Sequence, residues 1–198
     1  MDPLTQGLAG AVLPQAAQRR AGAAAAGLLG FLAGMTPDLD VLIRSGEDPL
    51  LFLEYHRQFT HSLVIIPFGG AACALLLHPL IGRRRGLSPL TTWLCCTLGY
   101  ATHALLDACT TYGTQLFWPF SDARIAWNVV SIVDPLFSLP LALAVLLAAG
   151  TGRRAFATAG LCWALAYLGL GLLQREEARA LGEALARKRG HAPVRVEA

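Results

Sequence analysis

Apolar residues fill this chain in long runs, and the polar positions fall between the runs instead of alternating within them. Neither the two-residue period of a half-buried strand nor the single apolar stripe of a soluble helix produces that pattern. It predicts helices that are apolar on every side, as a bilayer requires. Residues 3–18 read as a short, moderately apolar helix interrupted by Pro14. Residues 21–36 are an Ala/Gly-rich run whose small side chains suit close helix packing in lipid. Residues 61–81, 89–109, 129–150 and 155–173 are further runs of spanning length, so the pattern predicts about five spans. Between them, residues 41–60 are polar to mixed, with a short interfacial helix expected after Asp48 as N-cap and Pro49 at its first position. Residues 112–128 form a loop rich in aromatic and turn residues (Gly113, Trp118, Pro119, Asp122, Trp127), of a composition that favours the membrane–water interface. Residues 174–198 turn charged and read as a solvated helix and tail, His191 included.

Composition strengthens this reading. Of 198 residues, 55% are hydrophobic and 15% charged, against about 25% charged in an ordinary soluble domain. The mean hydropathy is +0.50. The N-terminal Met1-Asp-Pro-Leu-Thr-Gln6 lacks the basic start and small-residue cleavage site of a signal peptide, so the helices themselves are expected to direct membrane insertion. Cys73, Cys95, Cys96, Cys109 and Cys162 all sit in apolar runs without a Cys-x-x-Cys pair, which makes them small buried hydrophobes. The net charge of +3 comes with arginines at the ends of the runs; no basic stripe or aromatic platform suggests nucleic acid. The expected fold is all-α: an integral membrane bundle, residues 1–173, followed by the charged segment 174–198.

The chemistry-bearing residues gather at one level. His103 and Asp107, four apart in an apolar helix, stand one above the other on the same face and can close on one divalent cation. A hydrogen-bonded His–Asp pair is the plainer account of that spacing taken alone. When the spans alternate, however, Asp38 and Asp40 end one span, His56 and His61 precede the next, and Asp134 begins another, all at the same end as His103 and Asp107. Thr5 and Gln6 start there too if residues 3–18 enter the membrane. Ionisable groups at membrane depth are paired, line a cavity or serve a function. A nitrogen and oxygen ligand set without cysteine suits a catalytic or exchangeable ion, Zn²⁺ first and Mn²⁺ as the alternative. His78, near the opposite end, reads as an interfacial histidine, Glu54 as a surface carboxylate, and Asp122 with Arg124 as a pair within the loop.

Several motifs carry a resemblance. Met1-Asp-Pro-Leu-Thr-Gln6, Thr36-Pro-Asp-Leu-Asp40, Tyr55-His-Arg-Gln-Phe-Thr-His-Ser62, Thr102-His-Ala-Leu-Leu-Asp-Ala-Cys-Thr-Thr-Tyr-Gly-Thr-Gln115, Trp118-Pro-Phe-Ser-Asp122 and Ile132-Val-Asp-Pro-Leu136 follow in order over roughly residues 1–150. Together they resemble the bacterial inner-membrane metal-dependent hydrolase family (YdjM-like), itself distantly similar to zinc-dependent phospholipases C and related zinc nucleases. The resemblance implies metal binding by Asp38 or Asp40, by His56 and His61, and by His103 with Asp107. Many members have histidine where this chain has Gln6, which implies one metal fewer or weaker binding here. It also implies a hydrolase working through a metal-activated water without fixing the substrate. The aromatic loop, by presenting the site to lipid headgroups, points to a phospholipid-like or other amphiphilic phosphoester, with membrane lipid as the partner. Asp38, Asp40 or Asp134 would accept a proton or orient a ligand histidine. Arg57 would steady a phosphate or form a structural salt bridge. A divalent-metal transporter or metal-binding regulator is the competing class, but it calls for a polar path through the membrane, and these groups stop at one level.

Sidedness follows from the arginines. Arg19, Arg20, Arg83, Arg84, Arg85, Arg153 and Arg154 fall at the end opposite the His/Asp level, against Arg44, Arg57 and Arg124 beside it. Short-loop Lys and Arg stay cytoplasmic, so the site is expected to face away from the cytoplasm. The basic residues of the 174–198 segment, Arg195 among them, oppose this but are offset by glutamates, Glu197 included. A cysteine at Ser121, in a chain stripped of native cysteines, should then react with an impermeant thiol reagent in intact spheroplasts. Labelling only after lysis would reverse the topology.

Overall fold

The computed structural model describes residues 1–18, 22–48 and 50–190; the expectations for Arg19, Arg20, Pro49, His191, Arg195 and Glu197 lie outside them. The expected all-helical membrane bundle is found. Among the described residues seven α-helices follow in order: α1 Pro3–Ala17, α2 Ala23–Met35, α3 Leu51–Tyr55, α4 Ile66–Leu77, α5 Pro89–Ala108, α6 Pro135–Thr151 and α7 Arg154–Lys188. Among the described residues the only β feature is an isolated bridge between Thr114 and Ile125.

Local signals explain where the helices start. Asp2 caps α1 by accepting from the Thr5 N–H, with Pro3 at the first helical position. Ser88 caps α5 in the same way, accepting from Thr91 N–H ahead of Pro89. Asp134 accepts from Leu136 N–H and Phe137 N–H and so starts α6 at Pro135. That cap corrects the expected 129–150 span: the apolar residues 129–133 belong to the loop. Asp48 accepts from Leu50 N–H just before the short α3.

Among the described residues three stretches are long and apolar enough to cross a membrane, Ala23–Leu42, Ile66–Arg85 and Arg154–Lys188, with Pro135–Thr151 a shorter apolar helix, against the about five spans expected. The first extends α2 through the 3-10 turn Pro37–Leu42; the second extends α4 through a π-helical turn, His78–Gly82, and a 3-10 turn, Arg83–Arg85. His78 is tied there to Thr92 (Nδ1 to Oγ1, 2.9 Å). At 35 residues α7 is one continuous helix where the sequence suggested a span and a separate charged helix. Its length of about 52 Å exceeds a hydrocarbon core of about 30 Å, so its charged end projects beyond the bilayer. There Glu183 pairs with Arg179 and Arg187, each at 3.3 Å.

α5, expected to span, is not among those three stretches; it lies inside, packed against α1, α2 and α4, and carries the buried Thr92, His103 and Asp107. Exposed leucines such as Leu75, Leu76, Leu139, Leu143, Leu165 and Leu173 cover the outer helices, where lipid accepts them. Among the described residues two larger cores and a small cluster of Ala104, Ala108 and Leu116 fill the interior. One core joins α1, α5 and α6 through Leu8, Val12, Leu106, Phe137 and Leu141, and the other joins α2, α4 and α5 through Leu29, Cys73, Cys95, Cys96 and Tyr100. Four of the cysteines are buried as expected, whereas Cys162 is exposed on α7.

The approach of α1, α2 and α5 is closer than side chains allow. A Cβ on Gly30 would stand 2.2 Å from Gly10 O, and one on Gly99 would stand 2.3 Å from Gly30 O. Pro14 does not interrupt α1; it removes the N–H that would bond the Gly10 carbonyl, and the glycine backbone of α2 packs on that oxygen instead. This contact fixes the depth of α1 and α5 against α2, and with it the level of Gln6, His103 and Asp107.

Candidate metal centre

Three elements deliver the site. The 3-10 turn after α2 supplies Asp38 and Asp40, the segment between α3 and α4 supplies His56, Arg57, Thr60 and His61, and the last turns of α5 supply His103 and Asp107. Arg57 adopts φ 60°, a left-handed conformation uncommon outside glycine, and it turns the chain so that His56 and His61 face different partners.

Asp38, His61, His103 and Asp107 each offer one atom to a common centre, all within 4.8 Å of one another. His61 Nε2 lies 3.6 Å from Asp38 Oδ1 and 3.2 Å from Asp107 Oδ2. His103 Nε2 lies 3.3 Å from each of the same two oxygens. Ligands about 2.0–2.1 Å from a tetrahedral zinc stand about 3.3–3.4 Å apart, so these separations fit the edges of such a polyhedron.

The hydrogen bonds behind the ring decide what those atoms carry. His103 Nδ1 is 2.5 Å from Gly34 O, which can only accept, so the ring proton sits on Nδ1. Thr60 donates its one hydroxyl proton to Asp40 Oδ2 at 2.9 Å. The 2.8 Å contact between Thr60 Oγ1 and His61 Nδ1 is therefore donated by the ring. With each ring neutral, these assignments leave Nε2 as a lone pair facing two carboxylate oxygens. His61 Nε2, His103 Nε2 and Asp107 Oδ2 are buried and have no hydrogen-bond partner. In that form the two nitrogens and two carboxylate oxygens are four acceptors that one divalent cation satisfies together. The group could therefore hold such an ion.

Asp40 stands behind this ring. Its Oδ1 is 2.8 Å from His56 Nδ1, and its Oδ2 accepts from Arg57 N–H at 3.0 Å as well as from Thr60. Asp38, Asp40 and His56 form a second, more open group that shares Asp38 with the first. Arg57 takes the salt-bridge alternative: it is buried, its Nε lies 3.1 Å from Asp107 Oδ2, and it donates to Thr110 Oγ1. Gln6 reaches the site from α1 and donates from Nε2 to Asp107 Oδ1 at 2.9 Å; the Met1 amino group meets the same oxygen.

Asp134 joins neither group. Its carboxylate caps α6 and accepts from the Tyr167 hydroxyl at 2.8 Å, which gives it a structural place in this fold. Arg124 does not pair with Asp122 among the described ion pairs; it donates to His56 O at 3.1 Å and lies over the Tyr112 ring. The aromatic loop is bound to the site's surroundings by Gln115 N–H to Arg57 O and Ser62 Oγ to Trp118 O. The sequence reading did not single out Thr60 or Gly34. Thr60 was legible as a hydroxyl next to a ligand-type histidine, but Gly34 acts through its carbonyl, which no side-chain pattern reveals.

Similar proteins agree with a membrane location. The chain is 37% identical over 110 residues to inner membrane protein YbcI of Escherichia coli (strain K12), covering 52% of this chain and 60% of that protein. It is 28% identical over 109 residues to the uncharacterized protein YfhP of Bacillus subtilis (strain 168), covering 54% of this chain and 32% of that protein. No solved structure matches it. The profile of the YdjM inner membrane protein family matches residues 1–178, and the chain belongs to that family of multi-helix inner-membrane proteins.

Proposed function

We propose that this protein is a membrane-bound metal-dependent hydrolase acting on a phosphoester of a phospholipid-like amphiphile. The observation that supports the reading is the convergence of two histidine Nε2 atoms and two carboxylate oxygens in one cluster. Asp38, His61, His103 and Asp107 would hold the ion, with Zn²⁺ favoured by the two-nitrogen, two-oxygen set and the tetrahedral spacing. When bound, such an ion would lower the pKa of a water and polarise a phosphoryl oxygen at the position that the part-exposed Asp38 yields, since four protein ligands fill a tetrahedral shell. Asp40 orients His61 through Thr60 and holds His56 at the more exposed edge. Arg57 fixes Asp107 by its guanidinium and Asp40 by its backbone N–H. Asp38, with 20% of its side chain exposed, marks the side from which substrate enters. Exposed Leu39, Leu42, Phe117 and Phe120 surround that side and suit a headgroup presented from the bilayer surface.

The test is turnover. Detergent-purified protein loaded with Zn²⁺ and given phospholipid in mixed micelles should release a phosphorylated headgroup or phosphate, and His103→Ala should release none. Stoichiometric metal binding without hydrolysis of any phosphoester would leave a metal-binding membrane protein and overturn the enzymatic reading.

A further inference from the structure

We infer that Gln6 is a metal-specificity residue: it ties up one oxygen of Asp107 so that this ligand binds through the other alone. The inference rests on the metal-binding reading above. The two Asp107 oxygens face different groups. Oδ2 lies 3.2 and 3.3 Å from the Nε2 atoms of His61 and His103 and 3.1 Å from Arg57 Nε, whereas Oδ1 accepts from Gln6 Nε2 at 2.9 Å and also meets the Met1 amino group. Gln6 is fully buried, and it cannot withdraw, because α1 is set against α2 there: a Cβ on Gly34 would stand 2.8 Å from Gln6 O.

A carboxylate binds an ion through both oxygens only if both turn towards it. Ions with higher coordination numbers, Ca²⁺ above all, gain from such bidentate contacts, while Zn²⁺ is content with one oxygen per carboxylate in a four-atom shell. By occupying Oδ1, the neutral Gln6 amide lowers the number of oxygens the site offers without changing its charge. It therefore favours a small four-coordinate ion.

Co²⁺ reports the coordination number directly, since tetrahedral Co²⁺ absorbs visible light far more strongly than five- or six-coordinate Co²⁺. In the full-length protein, wild type should give the strong tetrahedral bands. Gln6→Met, similar in length but without a donor, should give weaker bands, and its preference for Zn²⁺ over Mn²⁺ should narrow about tenfold or more in competition titrations. Unchanged bands and preference would overturn the inference, including the case in which the Met1 amino group alone suffices to hold Oδ1. If Gln6→Met does not fold, Gln6→Asn, which draws the amide back by one carbon, is read in the same way. Weak, high-coordination bands in wild type would also overturn it. A wild type that takes up no Co²⁺ at all would instead remove the metal reading on which it depends.

Discussion

Alanine at Asp107 is expected to abolish divalent-metal binding and also to destabilise the metal-free protein, whereas alanine at His103 should abolish binding with a smaller loss of stability. Both changes delete one corner of the four-atom ring. They differ in what they leave behind. Asp107 faces Arg57 Nε at 3.1 Å and the Met1 amino group, all in buried surroundings. Removing the carboxylate strands that positive charge, and breaking a buried ion pair from one side costs about 3–5 kcal/mol. His103→Ala leaves only the Gly34 carbonyl without its donor, a cost of about 1–3 kcal/mol. Metal titration of both variants, with thermal unfolding in detergent plus chelator, checks the pair. Equal stabilities without metal, or retained binding in either variant, would contradict the geometry.

The second large effect is expected at a residue outside the ring. Asp40→Asn should weaken metal affinity about 10- to 100-fold while leaving all four ring atoms in the chain. Asp40 accepts from Arg57 N–H and the Thr60 hydroxyl and holds His56. Because Thr60 gives its proton to Asp40, it must accept from His61 Nδ1, and this keeps the His61 Nε2 lone pair on the metal side. An asparagine places an NH₂ where one carboxylate oxygen stood. With the NH₂ at the Oδ2 position the Arg57 N–H and Thr60 lose their acceptor and the direction of the relay is no longer imposed; with it at the Oδ1 position His56 Nδ1 faces a donor in place of an acceptor. Competition titration against a chelator reads the change; an affinity equal to wild type would mean that Asp40 does not orient His61.

Much of this site was legible in the sequence, and the rest was hidden for physical reasons. The i, i+4 spacing of His103 and Asp107 places both on one face of any helix, so their pairing survives without tertiary information. The choice between Asp38 and Asp40 did not. They lie on a 3-10 turn, where residues two apart point about 120° away from each other, and nothing in Thr36-Pro-Asp-Leu-Asp40 says which faces the histidines. The different surroundings of His56 and His61 depend on the left-handed turn at Arg57, a residue whose type does not announce that conformation. Asp134 attracted attention because it shares the site's end of the bundle. Asp-Pro at a helix start is also a capping signal, and the cap is what the fold uses. The apolar residues 129–133 read as the start of a span by composition, but hydropathy carries no information about that cap. The contact of Gly10, Gly30 and Gly99 was visible only as small-residue content; the depth at which α1 docks, and so the meeting of Gln6 with Asp107, required the packed helices.

The central claim, that Asp38, His61, His103 and Asp107 form one metal centre, is tested most directly by X-ray absorption at the zinc edge on purified, zinc-loaded protein. The account predicts one ion per chain, a first shell of nitrogen and oxygen only at about 2.0–2.1 Å, and the outer scattering of imidazole rings. A shell containing sulfur at about 2.3 Å, or a folded chain that retains no zinc, would contradict it.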